Sequence, residues 1–292
     1  MGRQRYLTEK IKSDLKKKMV FLGGPRQVGK TTLALDLIRA SGEDHPAYLN
    51  WDTREGKKAI LNGEFQVGEK IIIFDEVHKY KNWRNLLKGY FDSKKSKLSF
   101  LITGSARLDI YRQGGDSLQG RYYYYRLHPL SLFEVNPKCT KADLIKLLKF
   151  GGFPEPYFTG SEVEWRRWQN ARKSRVLQDD VNSLEDVKHI GQLDLLMDLL
   201  PTKVGSPLSI QSIKEDLNTA HETAERYVQI LEKLYYCYRI LPFGPAKIKA
   251  VKKEKKCYMW DWSICENPGA ILENFVASQL LKFCHYHEDI YG

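Results

Sequence analysis

Long apolar stretches are missing from this 292-residue sequence. The longest apolar runs, such as residues 71–74, fall far short of the roughly 18 residues that a membrane-spanning helix requires. The basic N-terminus leads only into the short run 19–22, which is too brief for the apolar part of a signal peptide. We therefore expect no transmembrane helix, no secretory signal and a cytoplasmic location.

Closely spaced cysteines are also lacking. The five cysteines are widely separated, and none belongs to a Cys-x-x-Cys pair of the kind that zinc or dithiol chemistry uses. The seven histidines are scattered, and His285 and His287 have no neighbouring third ligand. We expect reduced, structural thiols and no metal site built from cysteine and histidine.

Acidic residues are outnumbered by basic ones, 36 against 47, which leaves a formal net charge of +11. An excess of this size indicates an anionic partner. Most of it lies upstream, because the first 18 residues hold seven basic and two acidic side chains, whereas residues 200–292 hold 12 and 11.

Short apolar runs alternate with helical periodicity between residues 19 and 127. Strands are predicted at 19–23, 47–50, 70–75, 98–103 and 122–127, and helices at 30–40, 53–61 and 82–91. This alternation is typical of an α/β fold, a parallel sheet with helices on both faces.

Beyond residue 137 helical patterns replace the strands. We predict an α/β domain at residues 1–136, a helical segment at 137–190 and a winged helix-turn-helix domain at 191–262. The winged-helix prediction rests on helical patterns at 209–217 and 222–236, and on a lysine-rich stretch, 247–256, between two strand-like pieces. Residues 263–292 would begin a further domain.

The sharpest motif is residues 24–32, Gly-Pro-Arg-Gln-Val-Gly-Lys-Thr-Thr, which fits G-x-x-x-x-G-K-[ST] between a predicted strand and a predicted helix. In such a P-loop, backbone amides turn inward around phosphate oxygens and the helix N-terminus adds its positive dipole end. Lys30 would reach the β- and γ-phosphates, and the Thr31 hydroxyl would coordinate Mg²⁺. The predicted ATP-binding residues are Gly24, Gln27, Val28, Gly29, Lys30, Thr31 and Thr32.

Two adjacent carboxylates end the apolar strand at residues 70–76. At the carboxyl end of a buried strand, Asp75 would hold the Mg²⁺ shell together with Thr31. Glu76 would orient and deprotonate the water that attacks the γ-phosphate. The pattern predicts a Walker B element.

Three further residues are candidates at the same site. Thr103 and Ser105 follow the next strand, where they would sense the γ-phosphate, although a polar turn is an equal alternative. Arg121 follows a glycine-rich loop and is the candidate arginine finger, because a guanidinium can spread the charge of a transferring phosphoryl group.

These motifs, in this order, resemble those of prokaryotic AAA+ ATPases. The segments that carry the resemblance are 24–32, 73–79, Trp83, 102–107, 117–121 and 127–131, with 256–261 and 273–276 similar to later landmarks. The resemblance implies a P-loop domain followed by a winged helix and then a C-terminal domain of unknown function with a restriction-endonuclease-like fold. Since the chain ends at Gly292, before an acidic-x-Lys strand could follow, we expect that domain to be truncated and without nuclease activity.

The predicted activity is Mg²⁺-dependent ATP hydrolysis that drives or switches a conformational change. One hypothesis is an ATPase that acts on DNA through the basic wing, although Glu222, Glu225 and Glu232 make the second predicted helix a poor match for a polyanion. The alternative is a nucleotide switch that binds a protein partner, or a second copy of itself, without DNA. A small-molecule kinase is disfavoured, since no acceptor site is evident.

Overall fold

The computed structural model describes residues 4–66, 68–104, 118–181, 189–243 and 254–292. Two compact units divide the chain: residues 1–128 with 284–292, and residues 129–283. The four-part division predicted from the sequence stays a prediction. Within the described ranges, none of the helices combines the length and the apolar character needed to span a bilayer.

The first unit alternates strands and helices. Its elements are α1 (Thr8–Asp14), β1 (Met19–Gly23), α2 (Lys30–Ile38), β2 (Tyr48–Asn50), α3 (Arg54–Asn62), β3 (Ile71–Asp75), α4 (Trp83–Lys94), β4 (Ser99–Thr103) and β5 (Tyr122–Arg126). The strands form one parallel sheet in the order β2-β3-β4-β1-β5. The predicted α/β class is confirmed.

Strand β4 lies between β1 and β3, and this order decides which side chains meet. Thr103, the last residue of β4, is in register with Leu22 of β1 on one side and with Asp75 of β3 on the other. The apolar residues of these central strands are almost all buried, as expected for parallel strands that are covered on both faces. The P-loop, Asp75 and Thr103 therefore share the carboxyl edge of the sheet.

Helix α1 was not predicted from the sequence. Its apolar stripe was nevertheless present, because Leu7, Ile11 and Leu15 recur at helical spacing and are 1%, 0% and 4% exposed. The Tyr125 hydroxyl of β5 donates a hydrogen bond to Asp14 at the end of this helix. Helix α1 is thus packed against the rest of the first unit and can position the segment before it, residues 4–7.

The second unit is mainly helical. Its elements are α5 (Leu132–Val135), α6 (Lys141–Phe150), α7 (Pro154–Thr159), α8 (Glu162–Arg175), α9 (Ile190–Leu199), α10 (Ile210–Asp216), α11 (His221–Lys233), β6 (Cys237–Ile240), β7 (Lys256–Met259) and α12 (Pro268–Tyr291), the last of which ends in the first unit. Strands β6 and β7 pair antiparallel, and β6 contacts helix α11. Residues 247–253 of the predicted wing lie outside the described residues, so the winged helix stays a prediction.

Candidate nucleotide-binding site

The P-loop between β1 and α2 has the conformation that its glycines allow. Gly24 has a φ of +136°, and a Cβ added there would lie 2.4 Å from the carbonyl oxygen of Leu127. Gly29 precedes the first residue of α2 with a φ of +96°, and Gln27 also has a positive φ, +60°. Both glycines are therefore required, one by the close approach of β5 and one by a left-handed turn into the helix.

Lys30 is the first residue of α2, and its ammonium group lies inside the loop. The Nζ atom donates hydrogen bonds to the carbonyl oxygens of Gly24 and Pro25, at 2.9 and 2.7 Å. The residue is only 8% exposed. A buried ammonium beside the N-terminus of a helix favours an anion at this point.

Asp75 accepts hydrogen bonds from three hydroxyl groups. Thr31 Oγ1 and the Tyr48 hydroxyl donate to its Oδ2 atom at 3.2 and 2.6 Å, and Thr103 Oγ1 donates to Oδ1 at 2.6 Å. The structure therefore brings the predicted metal ligands, Thr31 and Asp75, together with the predicted sensor Thr103. Sequence analysis missed Tyr48, because a tyrosine in an apolar strand carries no signal beyond that of a core residue.

Glu76 follows Asp75 in a left-handed conformation, with a φ of +56°. Its backbone N–H donates to the Thr103 carbonyl at 3.0 Å, and its side chain is 19% exposed. The Oε2 atom is buried without a hydrogen bond from the described residues, although His78 Nε2 and Lys79 Nζ lie 3.5 and 3.6 Å away. Burial, and after it the negative charge of Asp75, raise the pKa of Glu76 above its usual value.

Arg5 braces the P-loop from the segment before α1. Its Nη1 atom donates to the carbonyl oxygen of Val28 at 2.8 Å and its Nη2 atom to that of His128 at 2.5 Å. The residue is 7% exposed. Sequence analysis also missed Arg5, since an arginine in a basic N-terminus resembles a solvated charge.

Arg121 lies away from these residues. It precedes β5, and its carbonyl accepts from the N–H of Met19 at the start of β1, whereas the P-loop follows the end of β1. Its guanidinium is paired with Asp92 on α4, at 2.9 and 3.2 Å. Arg121 thus lies at the opposite edge of the sheet and does not reach the P-loop of its own chain. The predicted role of Arg121 as an arginine finger stays a prediction, and Ser105 lies outside the described residues.

The donor set fits a nucleotide with Mg²⁺. The Thr31 hydroxyl and the Asp75 carboxylate are hard oxygen ligands of the kind Mg²⁺ prefers, and they are already in contact. The Lys30 ammonium and the turned loop suit phosphate oxygens, while the buried Oε2 of Glu76 lacks a hydrogen-bond donor among the described residues. Thr32, the third residue of α2, is exposed, and its side chain makes no hydrogen bond within the described part of the chain.

Two known domain families match consecutive parts of the chain. Residues 16–136 match the AAA domain family, and residues 141–269 match a domain family of unknown function. An uncharacterized protein of Mycobacterium tuberculosis is 25% identical over 281 residues, which cover 90% of this chain and 62% of that protein. An uncharacterized protein of Methanocaldococcus jannaschii is 24% identical over 332 residues, covering 92% and 69%. The chain thus spans about 62% of the length of the mycobacterial relative.

Among solved structures, the chain is similar to the ORC1 protein of Aeropyrum pernix in complex with DNA, at 11% identity and a TM-score of 0.38, with 95% of this chain and 92% of that chain covered. It is also similar to the RuvB Holliday junction branch migration motor of Thermotoga maritima, at 15% identity and a TM-score of 0.39, with 81% and 89% covered. The family match, together with the P-loop on a parallel sheet, identifies an AAA domain at residues 16–136 of the chain.

Proposed function

We propose that the chain is an ATPase that needs Mg²⁺ and changes conformation with the state of its nucleotide. The observation that carries the proposal is the hydrogen bond between Thr31 and Asp75, close to the buried ammonium of Lys30. These groups come from two separate parts of the sequence, and together they form a cation, a hydroxyl and a carboxylate at one sheet edge.

Each group has one task in this mechanism. Lys30 exchanges its bonds to the loop carbonyls for bonds to the β- and γ-phosphates. Thr31 and Asp75 would hold Mg²⁺, which when bound neutralises charge on the phosphates. Thr103 keeps the Asp75 carboxylate oriented from the neighbouring strand. Glu76 positions the attacking water and accepts its proton, and its raised pKa makes it a stronger base than an exposed carboxylate.

The contacts of Glu76 also support the second candidate, a nucleotide switch with slow turnover and a protein partner. In this arrangement the Glu76 carboxylate lies within ion-pair distance of Lys79 and of His78, which follow it by three and two residues in the chain. A base whose carboxylate is held by the Lys79 ammonium activates water slowly until a partner releases it. Stimulation of turnover by a protein partner, with no response to duplex DNA, would favour the switch over an ATPase that acts on DNA.

The test is Lys30→Ala, with Lys58→Ala as a matched control because Lys58 is exposed on α3. We expect Lys30→Ala to abolish the binding of a fluorescent ATP analogue and the release of phosphate from ATP, and Lys58→Ala to retain both. Chelation of Mg²⁺ should stop phosphate release by the parent protein. Phosphate release by Lys30→Ala at the parent rate would overturn the proposal.

A further inference from the structure

The amino ends of the strands form the edge of the sheet opposite the P-loop, and basic residues precede most of them. Within the described residues, basic side chains come directly before or close to the start of four strands: Lys16, Lys17 and Lys18 before β1, Lys70 before β3, Lys94, Lys95 and Lys97 before β4, and Arg121 before β5. We call these eight residues the basic edge.

Backbone hydrogen bonds place these residues side by side. The N–H of Ser99 donates to the carbonyl of Lys70 at 2.8 Å, and the N–H of Met19 donates to that of Arg121 at 3.1 Å. The strands involved are neighbours in the order β3-β4-β1-β5. Since adjacent strands lie about 4.8 Å apart, the basic edge extends over about 14 Å.

Most of this charge has no acidic partner. Lys16, Lys17, Lys70 and Lys97 are exposed, and no carboxylate among the described residues lies within ion-pair distance of them. The ammonium groups of three others lie over aromatic rings: Lys18 over Tyr123, Lys94 over Phe65 and Lys95 over Phe91. Lys95 also lies close enough to Asp92 to help Arg121, the main cause, lower the pKa of that carboxyl group. Arg121 is the exception, since it is paired with Asp92. Unpaired like charges this close repel one another, so an anion bound here would be stabilising.

We propose that the basic edge binds the phosphate backbone of duplex nucleic acid without reading its bases. A duplex carries one negative charge per roughly 1.7 Å of axis, so about eight phosphates fall within the length of this edge. A lipid bilayer is a less suitable partner for the basic edge than a duplex. In the first unit, Leu61 and Tyr291 are the exposed large hydrophobic side chains among the described residues, and stable membrane anchoring needs a larger apolar surface.

This surface is separate from the nucleotide site and from the predicted wing. The residues of the basic edge come before the strands, whereas Lys30 follows β1 and Asp75 is the last residue of β3. Duplex binding therefore requires neither Lys30 nor residues 247–253. Because the two sites lie at opposite edges of the sheet, a duplex and a nucleotide can be bound at the same time.

The test compares two fourfold variants of the full chain by fluorescence anisotropy with a labelled DNA duplex. The edge variant replaces Lys16, Lys17, Lys70 and Lys97 by Gln. The control variant replaces four other exposed lysines by Gln: Lys58, Lys81, Lys138 and Lys141. Both lose the same charge. We expect the edge variant to lose at least about tenfold in affinity at low salt, with a salt slope shallower by up to about 3.6, because each phosphate contact contributes about 0.9.

Other measurements keep this result separate from the ATPase proposal. Lys30→Ala should bind the duplex like the parent protein, and the edge variant should bind the fluorescent ATP analogue and melt as the parent does. Equal losses in the edge and control variants would overturn the basic edge as the binding surface. Binding of the parent to vesicles of anionic phospholipid, but not to DNA or RNA duplexes, would overturn nucleic acid as its partner.

Discussion

The Tyr48 hydroxyl donates a hydrogen bond of 2.6 Å to Asp75 Oδ2, the oxygen that also accepts from Thr31. Burial first, and then the charge of Asp75, raise the pKa of Tyr48, so that its hydroxyl stays protonated and can act only as a donor toward the carboxylate. Tyr48 therefore orients the carboxylate before any metal or nucleotide arrives.

We expect Tyr48→Phe to lower the free energy of unfolding by about 1.5–3 kcal/mol, the usual contribution of a hydrogen bond to a charged group. It should also weaken Mg²⁺-dependent binding of the ATP analogue, because Asp75 loses one of its orienting donors. Tyr80→Phe is the matched control, since the Tyr80 ring packs on Trp51 with centroids 5.0 Å apart. Thermal melts and Mg²⁺ titrations of both variants check this, and equal effects would contradict the role of Tyr48.

Glu76→Gln should abolish turnover and yet stabilise the protein at neutral pH. The folded protein raises the pKa of Glu76, so it holds this proton more tightly than the unfolded chain does. The resulting destabilisation is absent below the unfolded pKa of 4.5 and grows as the pH rises through the raised value. The melting temperature of Glu76→Gln should therefore exceed that of the parent at neutral pH and approach it below pH 4.5. A lower melting temperature at neutral pH would contradict this, and Glu64→Gln, at an exposed position, is the control.

Removing the Arg5 guanidinium should loosen the P-loop. Arg5→Met leaves the buried carbonyls of Val28 and His128 without this donor, which we expect to cost about 2–4 kcal/mol of stability. The KM for ATP should rise more than kcat falls, because Arg5 positions the loop and lies outside the reacting groups. Arg5→Lys keeps a cationic donor and should recover part of the affinity. A variant that melts earlier but keeps the parent KM would assign Arg5 a purely structural role.

Arg121→Ala should leave ATP affinity unchanged, because Arg121 is paired with Asp92 at the edge of the sheet opposite the P-loop. An analogue titration checks this, with Asp92→Asn as the matched variant that removes the other half of the pair. Turnover tests whether Arg121 acts on a neighbouring chain. If Arg121 completes a neighbour's site, mixing Lys30→Ala with Arg121→Ala chains should restore part of the lost activity. No recovery would end its assignment as an arginine finger.

Much of the first unit could be predicted from local patterns. Strand β1 begins and ends where the sequence predicts, and the other four strands differ by one residue at their ends. This agreement has a simple cause. Parallel strands covered on both faces need continuous apolar runs, and such runs are visible in a single sequence.

The missed features depend on distant partners. Arg5 looks like part of a solvated basic tail until its guanidinium meets the Val28 carbonyl, 23 residues away in the chain. The basic edge likewise consists of two lysine clusters and two single basic residues that are separate in the sequence, and only a parallel sheet gathers them on one side.

The amino-acid order alone determined the P-loop, the strand-end pair Asp75 and Glu76, and the alternation of strands and helices that is typical of an α/β fold, because each depends on residues that are near one another in the chain. Only the tertiary structure decided that Tyr48 and Thr103 share the Asp75 carboxylate and that Arg121 pairs with Asp92 at the edge of the sheet opposite the P-loop. The physical reason is strand order. Strand β4 lies between β1 and β3, and this position determines which side chains meet at each edge of the sheet. The strand order itself depends on packing across the whole sheet.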